Sequence, residues 1–223
     1  MENKKIKRVY FVRHGLSISN EVNKYQEWDE PLSEMGRKQA GALAKRFETI
    51  PIDITLSSTM ERALETARVV SGCINKEIVT TDLLHEIHRP NEVRNQVQTD
   101  PAVLAIMKKV EQAFIDGSSW HHSDEENFHD LKERAKKALA FIEARSENHI
   151  LVATHGLFLR MVIARMLFGE ELTPREFVQF NFTFKTTNTG ITLCDYNPER
   201  KNGWTGEPKP WGVLTWNDHS HLG

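Results

Sequence analysis

The chain has 223 residues, 39% of them hydrophobic and 27% charged, with a formal net charge of −2. That length and apolar content support a real core in one large domain or two small ones. The lack of a basic surplus argues against nucleic acid or an acidic membrane surface as partner.

Cys73 and Cys194 lie far apart and match no metal or redox spacing. They are expected to be unreactive, half-buried thiols in a reducing compartment. The charged start Met1–Lys5 has no long apolar segment after it, and the most apolar stretch, 157–168, is interrupted by Arg160 and Arg165. The expectation is a cytoplasmic protein with no secretory leader and no membrane span. No repeat or low-complexity segment is visible.

Residues 7–12 read as a short buried strand that ends on Arg13-His14-Gly15, followed by a loop to about residue 31. The glycine is expected to let the backbone approach a ligand. Ser33 is a natural N-cap for a helix carrying Ala40, Leu43, Ala44 and Phe47 at helical spacing, and Pro51 ends it. Residues 53–57 form a second strand. Ser58 or Thr59 then caps a helix to about residue 71, and 76–80 is a short strand. From 82 to about 101 the chain is polar and irregular.

Two helices follow, 101–115 and 123–145, the second with Ser123 and Glu126 as a capping box. Residues 149–153 are a strongly apolar strand, 156–168 a buried helix, and 174–178 a helical turn. Residues 180–184 and 190–196 read as strands around an Asn-Thr-Gly turn, and 213–216 as an edge strand. Strands alternate with helices at least four times. This predicts one α/β domain over 1–223, with helices on both faces of a largely parallel sheet. Residues 82–147 are expected to form a helical insert covering the active site.

Two His-Gly pairs, His14-Gly15 and His155-Gly156, each end a predicted parallel strand. Neighbouring strands would place both histidines on one rim, where open α/β sheets hold ligands. Gly156 also opens a helix, whose free N–H groups favour an anion. Arg62 lies in the first turns of a helix that begins at a strand end, within reach of the same rim. Arg13, Arg62, His14 and His155 together make a cationic pocket in a protein of net negative charge. A phosphoryl group fits it: arginine forks hold equatorial oxygens, one imidazole attacks phosphorus and the other, protonated, stabilises spreading charge. Such a set needs no metal, and no carboxylate cluster is present to hold one.

With these residues in order, the sequence resembles the histidine phosphatase superfamily, the phosphoglycerate mutase-like family. The matching pieces are Arg13-His14-Gly15 with Ser17 and Asn20, the run Trp28 to Gly36, the run Ser58 to Ala67, Thr154-His155-Gly156, and the tail from Asn217 to Leu222. The resemblance implies a three-layer α/β/α sandwich. It implies that His14 becomes a phosphohistidine and that Arg13, Arg62 and His155 bind the phosphoryl group. Asn20 and Gly156 would assist. A general acid is expected in a Leu-x-Glu context, here Leu84-His85-Glu86, so Glu86 is the candidate and Glu92 the fallback.

Three departures stand out. Mutases of the family carry Glu-Arg-His-Tyr-Gly at the acid, whereas this chain has Glu86-Ile87-His88-Arg89-Pro90. The Glu-x-x-x-Gly run of many phosphatases is also missing. In the loop after Asn20, Gln26 fits the phosphatase type, but Glu27 replaces a glycine. The reading is a metal-independent phosphatase of a small phosphorylated metabolite, without cofactor, with Asn20, Gln26, Gly156 and Arg89 touching substrate. A 2,3-bisphosphoglycerate-dependent mutase is the alternative, followed by a non-catalytic phospholigand-binding module. Homodimer formation and the substrate stay open. His121, His122 and His129 are read as a solvated segment and Trp120 as a packed loop residue.

Overall fold

A computed structural model of the chain describes residues 6–223; the charged segment Met1–Lys5 lies outside the described residues. A six-stranded sheet runs in the order β3-β2-β4-β1-β5-β6. β1 spans Lys7–Arg13, β2 Ile54–Ser57, β3 Ile78–Thr80, β4 His149–Thr154, β5 Ile191–Tyr196 and β6 Trp211–Asp218. The first four pair in parallel, while β5 and β6 run antiparallel at one edge. The sheet is thus mixed, with the parallel part carrying the expected histidine ends.

The central strands read as continuous apolar runs because helices cover both their faces. In β4, Ile150, Leu151, Val152 and Ala153 are all buried. Burying each large aliphatic side chain contributes about 1.5–3 kcal/mol. On one face, α2 (Glu34–Phe47) and α3 (Glu61–Ile74) pack through Leu43, Phe47 and Val70 onto Val12, Leu151 and Ile191. On the other, α5 (Phe128–Glu143) and α6 (Gly156–Phe168) meet Val9, Phe11, Leu56 and Val152. This is the expected three-layer sandwich. The remaining helices are α1 (Ile18–Glu21), α4 (Pro101–Ile115) and α7 (Pro174–Thr183). Among the described residues, no helix is long and apolar enough to cross a membrane.

Local chemistry overturns several sequence expectations. The Phe180-Asn181-Phe182-Thr183-Phe184 alternation is not a strand but the end of α7 and the residue after it. Thr173 and Glu176 form a full capping box with Pro174 at the first turn, so the helix start prevails over a short period-two pattern. Phe177 and Phe180, three apart, are buried, while Phe182 is 69% exposed. The predicted Ser123–Glu126 capping box is also wrong. Asn127 caps α5 and Asp130 closes the box, leaving Glu126 free to pair with Arg134 at 2.6 Å. The cap of α3 is Met60, not Ser58 or Thr59, although the Ser58 hydroxyl accepts the Met60 N–H. The loop after β1 contains the short helix α1. The cysteines are not half-buried either: Cys73 is exposed and Cys194 buried, its thiol pushed upward by burial.

Gly15 answers a different constraint from the one expected. A Cβ there would lie 2.6 Å from the carbonyl oxygen of Gly36, and a Cβ on Gly36 would lie 2.0 Å from that of Leu16. The glycine pair lets the loop after β1 touch the first turn of α2, backbone to backbone. This close approach to the protein's own helix is what the structure shows to require a glycine here.

Candidate active site

The carboxyl ends of three neighbouring strands finish level. Arg13 pairs with Thr154 and Ser57 with Ala153, and the His14 and Ser58 amides donate to the carbonyls of Thr154 (2.9 Å) and Ala153 (3.0 Å). This register sets His14 and His155 side by side, ring centroids 5.0 Å apart. His14 is 1% exposed and His155 fully buried.

His14 Nδ1 lies 2.7 Å from the carbonyl oxygen of Gly15. A carbonyl only accepts, so Nδ1 carries the proton and Nε2 keeps its lone pair. Burial, with Arg62 and then Arg13 adding positive charge, holds the His14 imidazole well below the usual histidine range. His155 is held down in the same way by burial, Arg62 and His14, and its Nε2 lies 2.9 Å from the Ser58 hydroxyl. Both imidazoles are therefore neutral near pH 7, which suits a nucleophile at His14. It also means that the protonated partner expected at His155 requires the charge of a bound anion.

Arg62 is 2% exposed and donates from Nη1 to the Glu27 carbonyl at 2.8 Å. Burial lowers its pKa to about 10, against the opposing pull of Glu86 and Glu30. Arg13 donates to the Thr186 carbonyl at 2.7 Å. Its pKa is lowered by burial and supported by Glu86. Gly156 makes room for it, since a Cβ there would meet Arg13 Nε at 3.2 Å. Arg13 Nε, Arg62 Nε and His155 Nδ1 are buried without any hydrogen-bond partner. A buried polar atom left this way costs about 1–3 kcal/mol, and these three belong to residues that neighbour His14.

Glu86 takes up the start of α6. Its carboxylate accepts from the amides of Leu157 (3.1 Å), Phe158 (2.8 Å) and its own neighbour Ile87 (3.0 Å). Of the amides that open α6, those of Leu157 and Phe158 are thus taken by the Glu86 carboxylate. Arg134 on α5 fixes the backbone behind it, donating to the carbonyls of His85 (2.7 Å) and Glu86 (3.2 Å) while stacking 4.2 Å over Phe158.

A cavity of about 400 Å³ opens over this floor. Arg13, Asn20, Gln26, Arg62, Glu86, Arg89 and Gly156 line it; His14 and His155 do not, being buried beside Arg13 and Arg62. Gln26 donates to Asn20 Oδ1 at 3.1 Å and to the Ser17 hydroxyl, so the two predicted contacts form one linked wall. Arg89 lies 4.9 Å over the Tyr25 ring. Glu27 also lines the cavity. Glu92 does not; it accepts from Ser123 and lies near His122. His121 and His129 bond Asp130 and the Gly117 carbonyl, and no metal-binding cluster occurs among the described residues. Trp120 is 45% exposed beside α4, away from the cavity, so it is neither a lid nor packed.

Two residues escaped the sequence reading. Arg160 lines the cavity and is braced by Asn181 Oδ1 (2.7 Å) and Thr186 Oγ1 (2.8 Å). Its spacing of four from Gly156 on one helix face was the available signal. Arg134 had none, because the carbonyls it holds lie about fifty residues earlier.

The sequence profile of the histidine phosphatase superfamily (branch 1) matches residues 9–204. The chain belongs to that superfamily. It is 27% identical over 220 residues to a Proteus mirabilis protein named "Probable phosphoglycerate mutase GpmB", covering 96% of this chain and 94% of that one. The solved structure of Bacillus stearothermophilus YhfR superposes with a TM-score of 0.76 at 27% identity, covering 97% and 100%. A phosphoserine phosphatase of Entamoeba histolytica, solved with phosphoserine, gives 0.73 at 21% over 97% and 99%, a likeness of fold alone.

The neutral, buried histidines carry a stability cost at low pH. In the unfolded chain both protonate near pH 6.5; in the folded chain their pKa values are depressed. The unfolded state then binds more protons as pH falls below that value, and stability drops. For His14 and His155 together the loss between pH 7.5 and 5.5 is at most about 3 kcal/mol. Urea midpoints measured at the two pH values check this; an unchanged or higher midpoint at pH 5.5 contradicts it.

Proposed function

We propose that the protein is a phosphomonoester hydrolase that works through a phosphohistidine on His14, without a metal. The observation that carries this reading is the trio of unpartnered buried nitrogens, Arg13 Nε, Arg62 Nε and His155 Nδ1, grouped around a histidine whose Nε2 lone pair is free. The substrate's phosphoryl oxygens satisfy the guanidinium donors and draw the two arginines off the carbonyls of Thr186 and Glu27. His14 Nε2 then attacks phosphorus as the phosphorus–oxygen bond to the leaving group breaks. Glu86, once it has taken up the proton of an entering monoester monoanion, gives that proton to the departing oxygen. Water next attacks the phosphohistidine, Glu86 takes its proton, and phosphate leaves with His14 restored. The guanidinium groups stabilise the equatorial charge throughout, the role a metal plays elsewhere. Asn20, Gln26 and Arg89 form the outer wall that a small phosphorylated metabolite meets.

The mutase reading draws support from the Proteus mirabilis relative's name. Against it stands Ile87-His88-Arg89 where mutases of the family carry an arginine-tyrosine grip for the substrate carboxylate. One assay separates the two. With EDTA present, the protein is expected to release phosphate from p-nitrophenyl phosphate and from members of a metabolite panel. It is expected not to convert 3-phosphoglycerate in the presence of the bisphosphate. Conversion without net phosphate release would establish the mutase, and activity abolished by EDTA would overturn the metal-free mechanism.

A further inference from the structure

Beside the phosphate cavity lies a second one of about 240 Å³, and the two share a wall that includes Ile87 and Leu157. These two residues directly follow Glu86 and Gly156 in the chain. Since the Glu86 carboxylate is bound to the Leu157 and Phe158 amides, the acid stands at the boundary between the cavities. Beyond that wall the chamber is lined by Met107, Val110 and Phe114 of α4 and by Phe177 and Val178 of α7.

Three of its polar residues, His88, Arg89 and Glu111, lie on the wall it shares with the phosphate cavity, and the oxygens of the two beyond that wall are engaged. Glu126 accepts from Arg134 and from the His88 amide, and Asn181 Oδ1 accepts from Arg160. A sugar hydroxyl or a carboxylate passing beyond the shared wall would lose water among mostly apolar side chains. An apolar body gains from the same move.

The direction of the chemistry selects what enters. In an in-line displacement the leaving oxygen departs on the side of phosphorus opposite His14, toward the acid that protonates it. The carbon skeleton attached to that oxygen therefore passes Glu86 and meets Ile87 and Leu157. We infer that this chamber is the leaving-group subsite and that the preferred substrates are phosphate esters of apolar, ring-sized alcohols. This rests on the phosphatase reading and names its substrate class. An apolar cavity of about 150 Å³ suffices for benzene, so the volume accommodates such a group.

Ethyl and hexyl phosphate test the inference, because their alcohols have nearly the same acidity and differ only in buried length. A buried methylene is worth roughly fourfold in kcat/KM. The hexyl ester is expected to exceed the ethyl ester by at least about tenfold in kcat/KM. Filling the chamber with Val110→Trp or, separately, Val178→Trp is expected to erase that ratio in whichever variant retains the wild-type circular dichroism spectrum. Calorimetry of ethyl- and hexylphosphonate binding to wild type gives the same comparison without turnover, with the hexyl compound binding at least tenfold tighter. Hydrolysis of both esters at equal efficiency, or a hexyl preference untouched in a folded chamber-filled variant, overturns the subsite alone. If neither ester is hydrolysed, the phosphatase reading fails separately and the phosphonate comparison decides the chamber.

Discussion

Replacing His14 with alanine lowers kcat for every phosphomonoester by at least about 10⁴-fold, because a covalent nucleophile has no neighbouring substitute. The neighbouring imidazole, His155, has its ring centroid 5.0 Å from that of His14, but its Nε2 is committed to Ser58. The fold should survive the change. His14 leaves behind one unpaired carbonyl, that of Gly15, at a cost of about 1–3 kcal/mol. The strand pairing on either side is backbone-made and untouched. Phosphate binding should persist in the variant, since Arg13, Arg62 and His155 remain. Loss of turnover with retained product inhibition and an unchanged circular dichroism spectrum is the expected pattern. Turnover within tenfold of wild type would remove His14 from the mechanism.

Replacing Glu86 with glutamine separates the two proton transfers. An alkyl phosphate leaves as a strongly basic alkoxide unless it is protonated, so its first step should slow by about 10²–10⁴-fold. p-Nitrophenol needs no such help, and His14 should still be phosphorylated by its ester at close to the normal rate. Hydrolysis of the phosphohistidine then lacks its base. A burst of p-nitrophenol equal to the enzyme concentration, followed by slow turnover, is the expected trace. A glutamine amide also cannot accept from all three of the Leu157, Phe158 and Ile87 amides, so a modest loss of stability accompanies the kinetic effect. Equal slowing for both esters, without a burst, would mean that Glu86 orders the α6 start but moves no proton.

The parts of this site that could be read from the sequence are those where short-range pattern and topology coincide. β1 and β4 announce themselves as apolar runs ending in His-Gly, and parallel pairing in level register brings those ends together. Arg62 follows from its place at the start of α3, next to the end of β2. Glu86 came only through family resemblance; what places it at the floor is the start of α6, seventy residues later in the chain. Glu92 offered the same chemistry six residues on, and a 3₁₀ turn at Asn91–Val93 carries it away toward Ser123.

What the sequence hid has a common cause. Arg160 and Arg134 act through carbonyls, hydroxyls and amides contributed by distant segments, and no local period reports such contacts. The end of α7 reads as a strand because three phenylalanines at alternate positions imitate one, while the capping box that decides the matter lies seven residues upstream. The contact of Gly15 with Gly36 is invisible in the sequence because Gly36 belongs to a helix whose approach is a tertiary event. The apolar chamber is likewise a product of α4 and α7 meeting, and each helix alone shows only an ordinary amphipathic face.

The most direct test of the central claim is to trap the intermediate. Wild type and Glu86→Gln are mixed with p-nitrophenyl phosphate, quenched in base, digested and mapped by mass spectrometry. An acid-labile phosphoryl group on His14, accumulating in the Glu86→Gln variant, is the result the mechanism predicts. Phosphate on another residue, or continued turnover with no phosphorylated His14 detectable in either protein, would contradict it.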